Sequence, residues 1–286
     1  LGSVQVSMVL REAGPFSTLG LAAVLAPDDN VLFLLWGAVG LMTLVALVAA
    51  GWCISNFARL GPPRPTSRVC WSWSLWGTSI LGMILAQIEV IVGGAFMGPE
   101  ALGLYALLRR IANVVALPVS VATWVSASPI AAAYDRGDEV GLRQASARGS
   151  QIAWYPALVI CAVCICGLVV AAMLPSLTIT AQIAVSFGIL LSGALVQAFL
   201  ASGFTVATLS DHATLSASAR ALTVLFYLCI AAVVGVTMTP VSNALCYTFA
   251  MCLGSGVVWL VLRRDLGVDT SAFVLWRREV PTWRTS

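Results

Sequence analysis

Three charged residues lie inside apolar stretches of this 286-residue sequence, and their types and spacing suggest chemistry. Glu89 comes ten residues before Pro99, whereas Arg109 comes ten residues after it and is followed by Arg110. If the flanking stretches are helices joined by a turn at Pro99, both distances amount to about 15 Å, which is near the middle of a bilayer. The pattern predicts one acid and two bases at the same depth on adjacent helices.

The two arginines leave two compatible interpretations open. One is a structural ion pair between Glu89 and one arginine, because an isolated charge at the membrane centre costs several kcal/mol. The other is anion binding by the second arginine. Successive helical residues point about 100° apart, so Arg109 and Arg110 cannot both face the same partner. A guanidinium offers paired donors in a rigid fork that suits phosphate groups.

Other polar residues within apolar stretches are candidates for the lining of a cavity, although amides at membrane depth more often form interhelical hydrogen bonds. The candidates for the cavity are Gln87, Asn113 and Gln197, while Gln182 and Asn243 belong to the same class.

Catalytic and metal-binding patterns are missing from the sequence. It has no nucleophile–base pair, no metal-ligand spacing and no phosphate-cradling glycine loop. The three cysteines of CAVCIC (Cys161, Cys164 and Cys166) lie in an apolar run and are interpreted as small apolar filler. We therefore predict a protein that is not an enzyme and that needs neither a metal nor a cofactor.

Composition indicates an integral membrane protein. Hydrophobic residues make up 60% of the chain and charged residues only 9%, whereas a soluble domain carries about 25% charged residues. The arginines that give the net charge of +3 lie between apolar stretches and not on one basic face, which argues against a nucleic-acid partner.

Apolar runs long enough to span the hydrocarbon core predict an all-α, polytopic transmembrane bundle of about eight helices, since only helices of this length satisfy the backbone in lipid. A shorter run at 13–27 supplies the eighth span, and the segment 134–149 is interpreted as the end of one span followed by a short amphipathic helix. The seven longer runs are 31–57, 71–97, 101–133, 153–174, 179–209, 218–238 and 242–262.

The arginines also predict the orientation. If the spans alternate, every arginine except Arg109 and Arg110 lies on one side of the membrane, whereas the opposite loops contain none. Because positively charged loops stay in the cytoplasm, this side and the C-terminus are predicted to be cytoplasmic. The proline-rich loop 61–68 is the best boundary between two lobes.

The stretch 88–144 resembles the C-terminal half of bacterial oligosaccharide flippases, which are polysaccharide transporters of the multidrug/oligosaccharidyl-lipid/polysaccharide exporter superfamily. Glu89 stands where aspartate is more usual, and the ending RRDLGVDT (263–270) is also similar to that family. The residues that carry the resemblance are Gly98, Pro99, Glu100, Gly103, Tyr105, Arg110, Pro129, Tyr134, Gly137 and Asp138.

The resemblance implies that residues 1–70 are the end of an N-terminal lobe, with about two helices. Residues 71–286 would then form a six-helix lobe with a cytoplasmic amphipathic tail. It further implies a multi-pass protein of the bacterial inner membrane that flips polyprenyl-pyrophosphate-linked oligosaccharides for surface polysaccharide export. Expected partners are membrane lipid, the lipid-linked oligosaccharide and a polysaccharide polymerase complex.

The resemblance also implies roles for the charged residues at mid-depth. Arg110 stands at the family's arginine position, so it and Arg109 are the expected pyrophosphate ligands, and Glu89 is the expected ion-coupling or ion-pair residue. Two alternatives remain open. One is a cation-coupled drug antiporter of the same superfamily. The other is a truncated membrane fragment that does not transport, because family members have twelve to fourteen spans.

Overall fold

The computed structural model describes residues 73–173, 179–210 and 212–274, together with the isolated positions Gly40, Thr43 and Leu47. The chain divides into two units, Leu1–Trp71 and Ser72–Ser286, and all the elements below belong to the second. The predicted spans 13–27 and 31–57, apart from those three positions, lie outside the described residues, as do the loop 61–68 and the tail after 274.

Every regular element in the described ranges is helical. Six of the helices, all except the short α5, are long and apolar enough to cross a membrane, so the prediction of a multi-pass, all-helical protein is confirmed at this level. The helices are α1 Trp73–Phe96, α2 Pro99–Asp135, α3 Glu139–Met173, α4 Ala181–Phe199, α5 Ser202–Leu209, α6 Ala213–Val234 and α7 Pro240–Asp265, and a 3-10 turn, Gly235–Thr237, joins the last two.

The α2–α3 junction differs from the prediction of a separate amphipathic helix at 134–149. Helix α2 ends at Asp135, and the turn after it contains Gly137, whose φ of 65° is a left-handed conformation that suits glycine. The Asp138 carboxylate then accepts a hydrogen bond from the backbone N–H of Gly141 at 2.8 Å and so caps the next helix. From Glu139 onward the polar turns and the apolar span form one continuous helix of 35 residues. This helix is longer than the bilayer core, so its polar first turns can extend beyond the membrane.

The predicted span 179–209 is interrupted near Leu200, where α4 ends and α5 begins. At this break the backbone N–H of Ser202 donates to the hydroxyl of Ser150 on α3 at 3.2 Å. The hydroxyls of Ser146 and Ser202 lie 2.8 Å apart. The side chains of α3 therefore satisfy a backbone group that a continuous helix would satisfy internally.

The segment after α7 folds back against this break. Its turn uses Gly267, which has a φ of 61°. The carbonyl of Thr270 accepts a hydrogen bond from the Ser150 hydroxyl at 2.7 Å, and the N–H of Ala272 donates to the Phe199 carbonyl at 3.0 Å. The segment is thus fixed to both α3 and the end of α4.

The helices pack with small side chains between them. Helix α2 lies along α3 and α4, α1 packs on α6, and α7 packs on α4 and α6, while α1 and α2 make few contacts with each other although they are consecutive. Small residues let helix backbones approach closely in a membrane, where burial of apolar surface gives little driving force. Fully buried alanines include Ala112, Ala153, Ala157, Ala198, Ala244 and Ala250, and the largest fully buried side chains are Tyr105 and Tyr227.

Candidate functional site

Glu89 and Arg109 form a buried ion pair between α1 and α2. Glu89 is 0% exposed and Arg109 is 8% exposed. The Arg109 Nε donates to Oε1 of Glu89, and the hydroxyl of Tyr105 donates to Oε2 of the same carboxylate. The expected proximity of Glu89 to one of the two arginines is therefore present, and the arginine is Arg109.

Helix α7 supplies the second set of partners for this pair. The Arg109 Nη2 donates to the hydroxyl of Tyr247 at 2.8 Å, and its guanidinium carbon lies 4.6 Å from the centre of the Tyr247 ring. The Tyr247 hydroxyl donates in turn to the carbonyl of Leu85 on α1 at 3.2 Å. Arg109 thus has an anion, a hydroxyl and an aromatic face around it.

Asn243, one helical turn before Tyr247, joins the same network. Its Nδ2 donates to the backbone carbonyl of Glu89 at 3.2 Å, and its Oδ1 accepts from the hydroxyl of Tyr227 on α6 at 2.7 Å. The sequence pattern favoured an interhelical hydrogen bond for Asn243, and this is confirmed. We call Glu89, Tyr105, Arg109, Tyr227, Asn243 and Tyr247 the buried network.

The close approach of α7 to α1 depends on a glycine. A β-carbon at Gly93 would lie 2.6 Å from Cε of Met97 and 3.1 Å from Nδ2 of Asn243, so both side chains would have to shift. The glycine therefore leaves the Glu89 carbonyl of α1 accessible to the Asn243 side chain of α7. Helix α1 is held by its carbonyls on the α6–α7 side and by the Glu89 carboxylate on the α2 side.

The electrostatics of the buried network are locally balanced. One carboxylate faces one guanidinium, and both oxygens of the carboxylate have a donor. A paired and fully hydrogen-bonded charge is tolerated in a low-dielectric interior, whereas removal of one partner leaves the other charge uncompensated. The network can therefore fix α1, α2 and α7 relative to one another at this depth.

Arg110 has a different environment from Arg109. It is exposed, and it makes no hydrogen bond or ion pair with any residue that the structure describes. Its Cα lies about 100° around α2 from that of Arg109. Arg110 lies on an exposed face of α2 that it shares with Asn113 and with apolar residues: Gly103, Leu107, Val114, Leu117 and Val121.

The three candidate cavity amides are placed differently from the buried network. Gln87 and Asn113 are exposed, and Gln197 is partly buried. Asn113 follows Arg110 by three residues, so the two side chains are neighbours on the surface of α2. Gln87, Asn113 and Gln197 all lie outside the buried network.

The tyrosines of the buried network were missed by the sequence analysis. A signal for two of them was present, since Tyr105 precedes Arg109 by four residues and Asn243 precedes Tyr247 by four residues. Residues with this spacing lie on one face of a helix. Two such polar pairs inside apolar runs indicate buried faces that meet each other.

The part of the chain that the structure describes contains no group of three or more His, Cys, Asp or Glu side chains arranged to hold a metal. Cys161, Cys164 and Cys166 are free thiols on α3, and their environments range from buried to exposed.

Comparison of the chain with protein-family models, with curated proteins and with solved structures gives no match.

Proposed function

We propose that this chain belongs to a transporter that moves a polyprenyl-pyrophosphate-linked oligosaccharide across the bacterial inner membrane for surface polysaccharide export. The motif resemblance suggests the substrate class. The observation that carries the proposal is that the two adjacent arginines have different environments. Arg109 is neutralised inside the helical bundle by Glu89, whereas Arg110 is exposed about a third of the way along the 37-residue helix α2.

The physical reason is the cost of moving an anion through hydrocarbon. A pyrophosphate group loses its hydration there, and a buried unpaired charge costs several kcal/mol or more. A guanidinium at mid-depth offsets this cost with a charge and with two parallel donors. In this proposal Arg110 contacts the pyrophosphate, Asn113 supplies a neighbouring polar contact, and Arg109 with Glu89 sets the orientation of α2.

The proposed orientation places the arginine-rich loops in the cytoplasm. The C-terminal ends of α2 and α7 then face the cytoplasm, and the turn at Gly98 faces the opposite side. Arg110 lies eleven residues into the helix from Pro99, so it is about 16 Å from that opposite side. The pyrophosphate would meet Arg110 midway between the two surfaces.

The test is export of surface polysaccharide from cells that depend on the full-length protein. Arg110→Ala should abolish export while the protein still accumulates in the membrane. Arg110→Lys should restore export only in part, because lysine keeps the charge but loses the fork. Leu107→Ala, one turn earlier on the same exposed stripe, is the matched control and should export normally. Normal export by Arg110→Ala would exclude Arg110 as the pyrophosphate ligand.

A cation-coupled drug antiporter is the second candidate, and the aromatic character of the buried network favours it. Tyr105 donates to the Glu89 carboxylate, while Tyr247 accepts from Arg109 and Tyr227 donates to Asn243. An acidic and aromatic site suits cationic aromatic substrates, since these bind to aromatic faces. This candidate predicts that Glu89→Gln abolishes efflux of a cationic dye and that Arg110→Ala leaves efflux unchanged. Measuring dye efflux and polysaccharide export on the same two variants distinguishes the candidates.

A further inference from the structure

A third arginine, Arg220, is held in a site formed by three helices. It lies on α6, about two turns after the helix begins at Ala213. Its Nη1 donates to the backbone carbonyl of Thr78 on α1 at 2.9 Å. Its guanidinium carbon lies 4.9 Å from the centre of the Phe204 ring on α5. The guanidinium is therefore fixed on one edge by a hydrogen bond and on one face by an aromatic ring.

Gly82 makes this position of the guanidinium accessible. The Thr78 carbonyl precedes Gly82 by four residues, so it is the acceptor that the side chain of residue 82 would normally shield on the helix surface. A β-carbon at position 82 would collide with Nη1 of Arg220. The absence of a side chain thus lets the guanidinium lie directly on α1.

The charge of Arg220 is not balanced by a carboxylate in the described residues. The ion pairs found there are Arg109 with Glu89 and Arg143 with Glu139. Within the same part of the chain, only Nη1 of Arg220 donates a hydrogen bond, which leaves Nε and Nη2 as an unused fork. The side chain is partly buried, so the missing counter-charge carries an electrostatic cost.

A second donor without a partner belongs to Thr78, the residue whose carbonyl Arg220 contacts. The hydroxyl of Thr78 is buried and has no hydrogen-bond partner. Covalent geometry keeps that hydroxyl within about 5 Å of the carbonyl oxygen of the same residue, which Arg220 holds. A buried hydroxyl without a partner is rare in folded proteins, because leaving a polar group unsatisfied is costly.

We propose that Arg220 and Thr78 bind a phosphate-class anion near the N-terminal ends of α1 and α6, on the side where the arginine-rich loops are predicted to lie. Arg220 lies about 10 Å from the start of α6, which is the level of the lipid headgroups and the adjoining hydrocarbon. Two sources can supply the anion there: the phosphate of a phospholipid and free inorganic phosphate. The site does not involve Arg110 or the buried network, so it stands independently of the proposed transport function.

The experiment measures ligand binding to the purified full-length chain in detergent by native mass spectrometry and by thermal unfolding. The lipid probe is dioctanoyl phosphatidylglycerol, and dioctanoylglycerol is its control, because it has the same acyl chains without the phosphate. The free-anion probe is inorganic phosphate, compared with chloride at the same ionic strength. We expect a phosphate-dependent rise in unfolding temperature with one or both phosphate probes.

Four variants test the residues. Arg220→Gln should weaken binding about tenfold or more, because it removes a charge-assisted, bidentate contact. Gly82→Ala should weaken binding although it keeps the arginine, since the new methyl group displaces the guanidinium. Arg220→Lys should fall between the wild type and Arg220→Gln. Arg263→Gln is the matched control, because Arg263 lies near the same membrane surface and also stacks on an aromatic ring, that of Trp259, at 5.4 Å.

The outcomes distinguish the two sources of the anion and include results that would contradict the proposal. Binding of phosphatidylglycerol alone supports a lipid site, and binding of inorganic phosphate at matched ionic strength supports a free-anion site. Equal binding by the wild type, Arg220→Gln and Gly82→Ala would overturn the proposal, as would an equal loss in Arg263→Gln. If Arg220→Gln fails to fold, Arg220→Lys and Gly82→Ala decide the question by themselves.

Discussion

Glu89 and Arg109 form an ion pair that joins α1 to α2, and this pair sets the direction in which Arg110 points. Because Arg109 is held inward by the Glu89 carboxylate and the Tyr247 hydroxyl, the next residue must point about 100° away. That direction is the exposed stripe of α2. The buried Glu89–Arg109 pair therefore determines that Arg110 is the arginine exposed on the surface of the bundle.

The buried ion pair gives the first prediction, which concerns stability. Arg109→Met leaves the Glu89 carboxylate buried without its cation, and Glu89→Gln leaves Arg109 without its anion. Each should lower the free energy of unfolding by about 3–5 kcal/mol. The double variant should lose clearly less than the sum, because it removes both charges. Unfolding in a denaturant series with the purified protein in detergent measures all three.

Arg110→Ala is the control for the ion-pair variants. Since Arg110 makes no hydrogen bond or ion pair within the described residues, the unfolding free energy of Arg110→Ala should stay within about 0.5 kcal/mol of the wild type. Strictly additive losses in the Glu89/Arg109 double variant would contradict a direct coupling between the two side chains.

The second prediction concerns access of water to the Arg110 face of α2. A single cysteine at Asn113, in a chain whose native cysteines are replaced, should react with a membrane-impermeant maleimide. A cysteine at Val163 is the control, since Val163 is 65% exposed on α3 and lies ten residues from the end of its helix at Met173. It is predicted to face lipid and to stay unlabelled. Equal labelling at positions 113 and 163 would show that the Arg110 face of α2 is no more accessible to water than the surface of α3 at Val163.

The third prediction concerns membrane topology. Reporter fusions after Arg143 and after Arg264 should both report a cytoplasmic location, because both arginines belong to the positively charged set of loops. A fusion after Pro99, in the turn between α1 and α2, is the opposite control and should report the other side. A periplasmic signal after Arg143 or Arg264 would refute the proposed orientation.

The fourth prediction concerns acid sensitivity of the segment that follows α7. The Asp269 carboxylate accepts hydrogen bonds from Trp259 Nε1 at 2.8 Å and from the Ser271 N–H at 3.0 Å. Burial alone would raise the pKa of Asp269, but these hydrogen bonds and the charge of Arg263 outweigh it and hold the pKa below its ordinary value.

A lowered carboxylate pKa stabilises the fold when the group is ionised. The contribution of Asp269 is therefore complete above the unfolded-state pKa of about 4 and is lost as the pH falls through the lower, folded-state value. Asp269→Asn should lower the unfolding temperature at pH 6 and reduce its dependence on pH below about 4. Thermal unfolding at pH 6 and at pH 3 checks this, and an unchanged pH dependence in Asp269→Asn would assign the acid sensitivity to other groups.

Sequence alone predicted the helices of the described residues and the positions of the charged residues along them. Apolar runs of membrane length must form helices because lipid offers no partner for a free backbone group, and six of the predicted runs correspond to membrane-length helices in the described residues. The equal spacing of Glu89 and Arg109 from Pro99 also predicted their contact, because the rise per helical residue is constant. Depth along a helix is a local property of the chain.

The tertiary structure decided which arginine pairs with Glu89 and which is exposed. That choice depends on the rotation of α2 about its own axis, which its packing on α3 and α4 and its contact with Tyr247 of α7 determine. The same holds for the break before Ser202, since its backbone N–H is satisfied by Ser150 of another helix. Spacing along the chain fixes how far a side chain lies along its helix, whereas its direction is fixed by neighbours that are distant in the sequence.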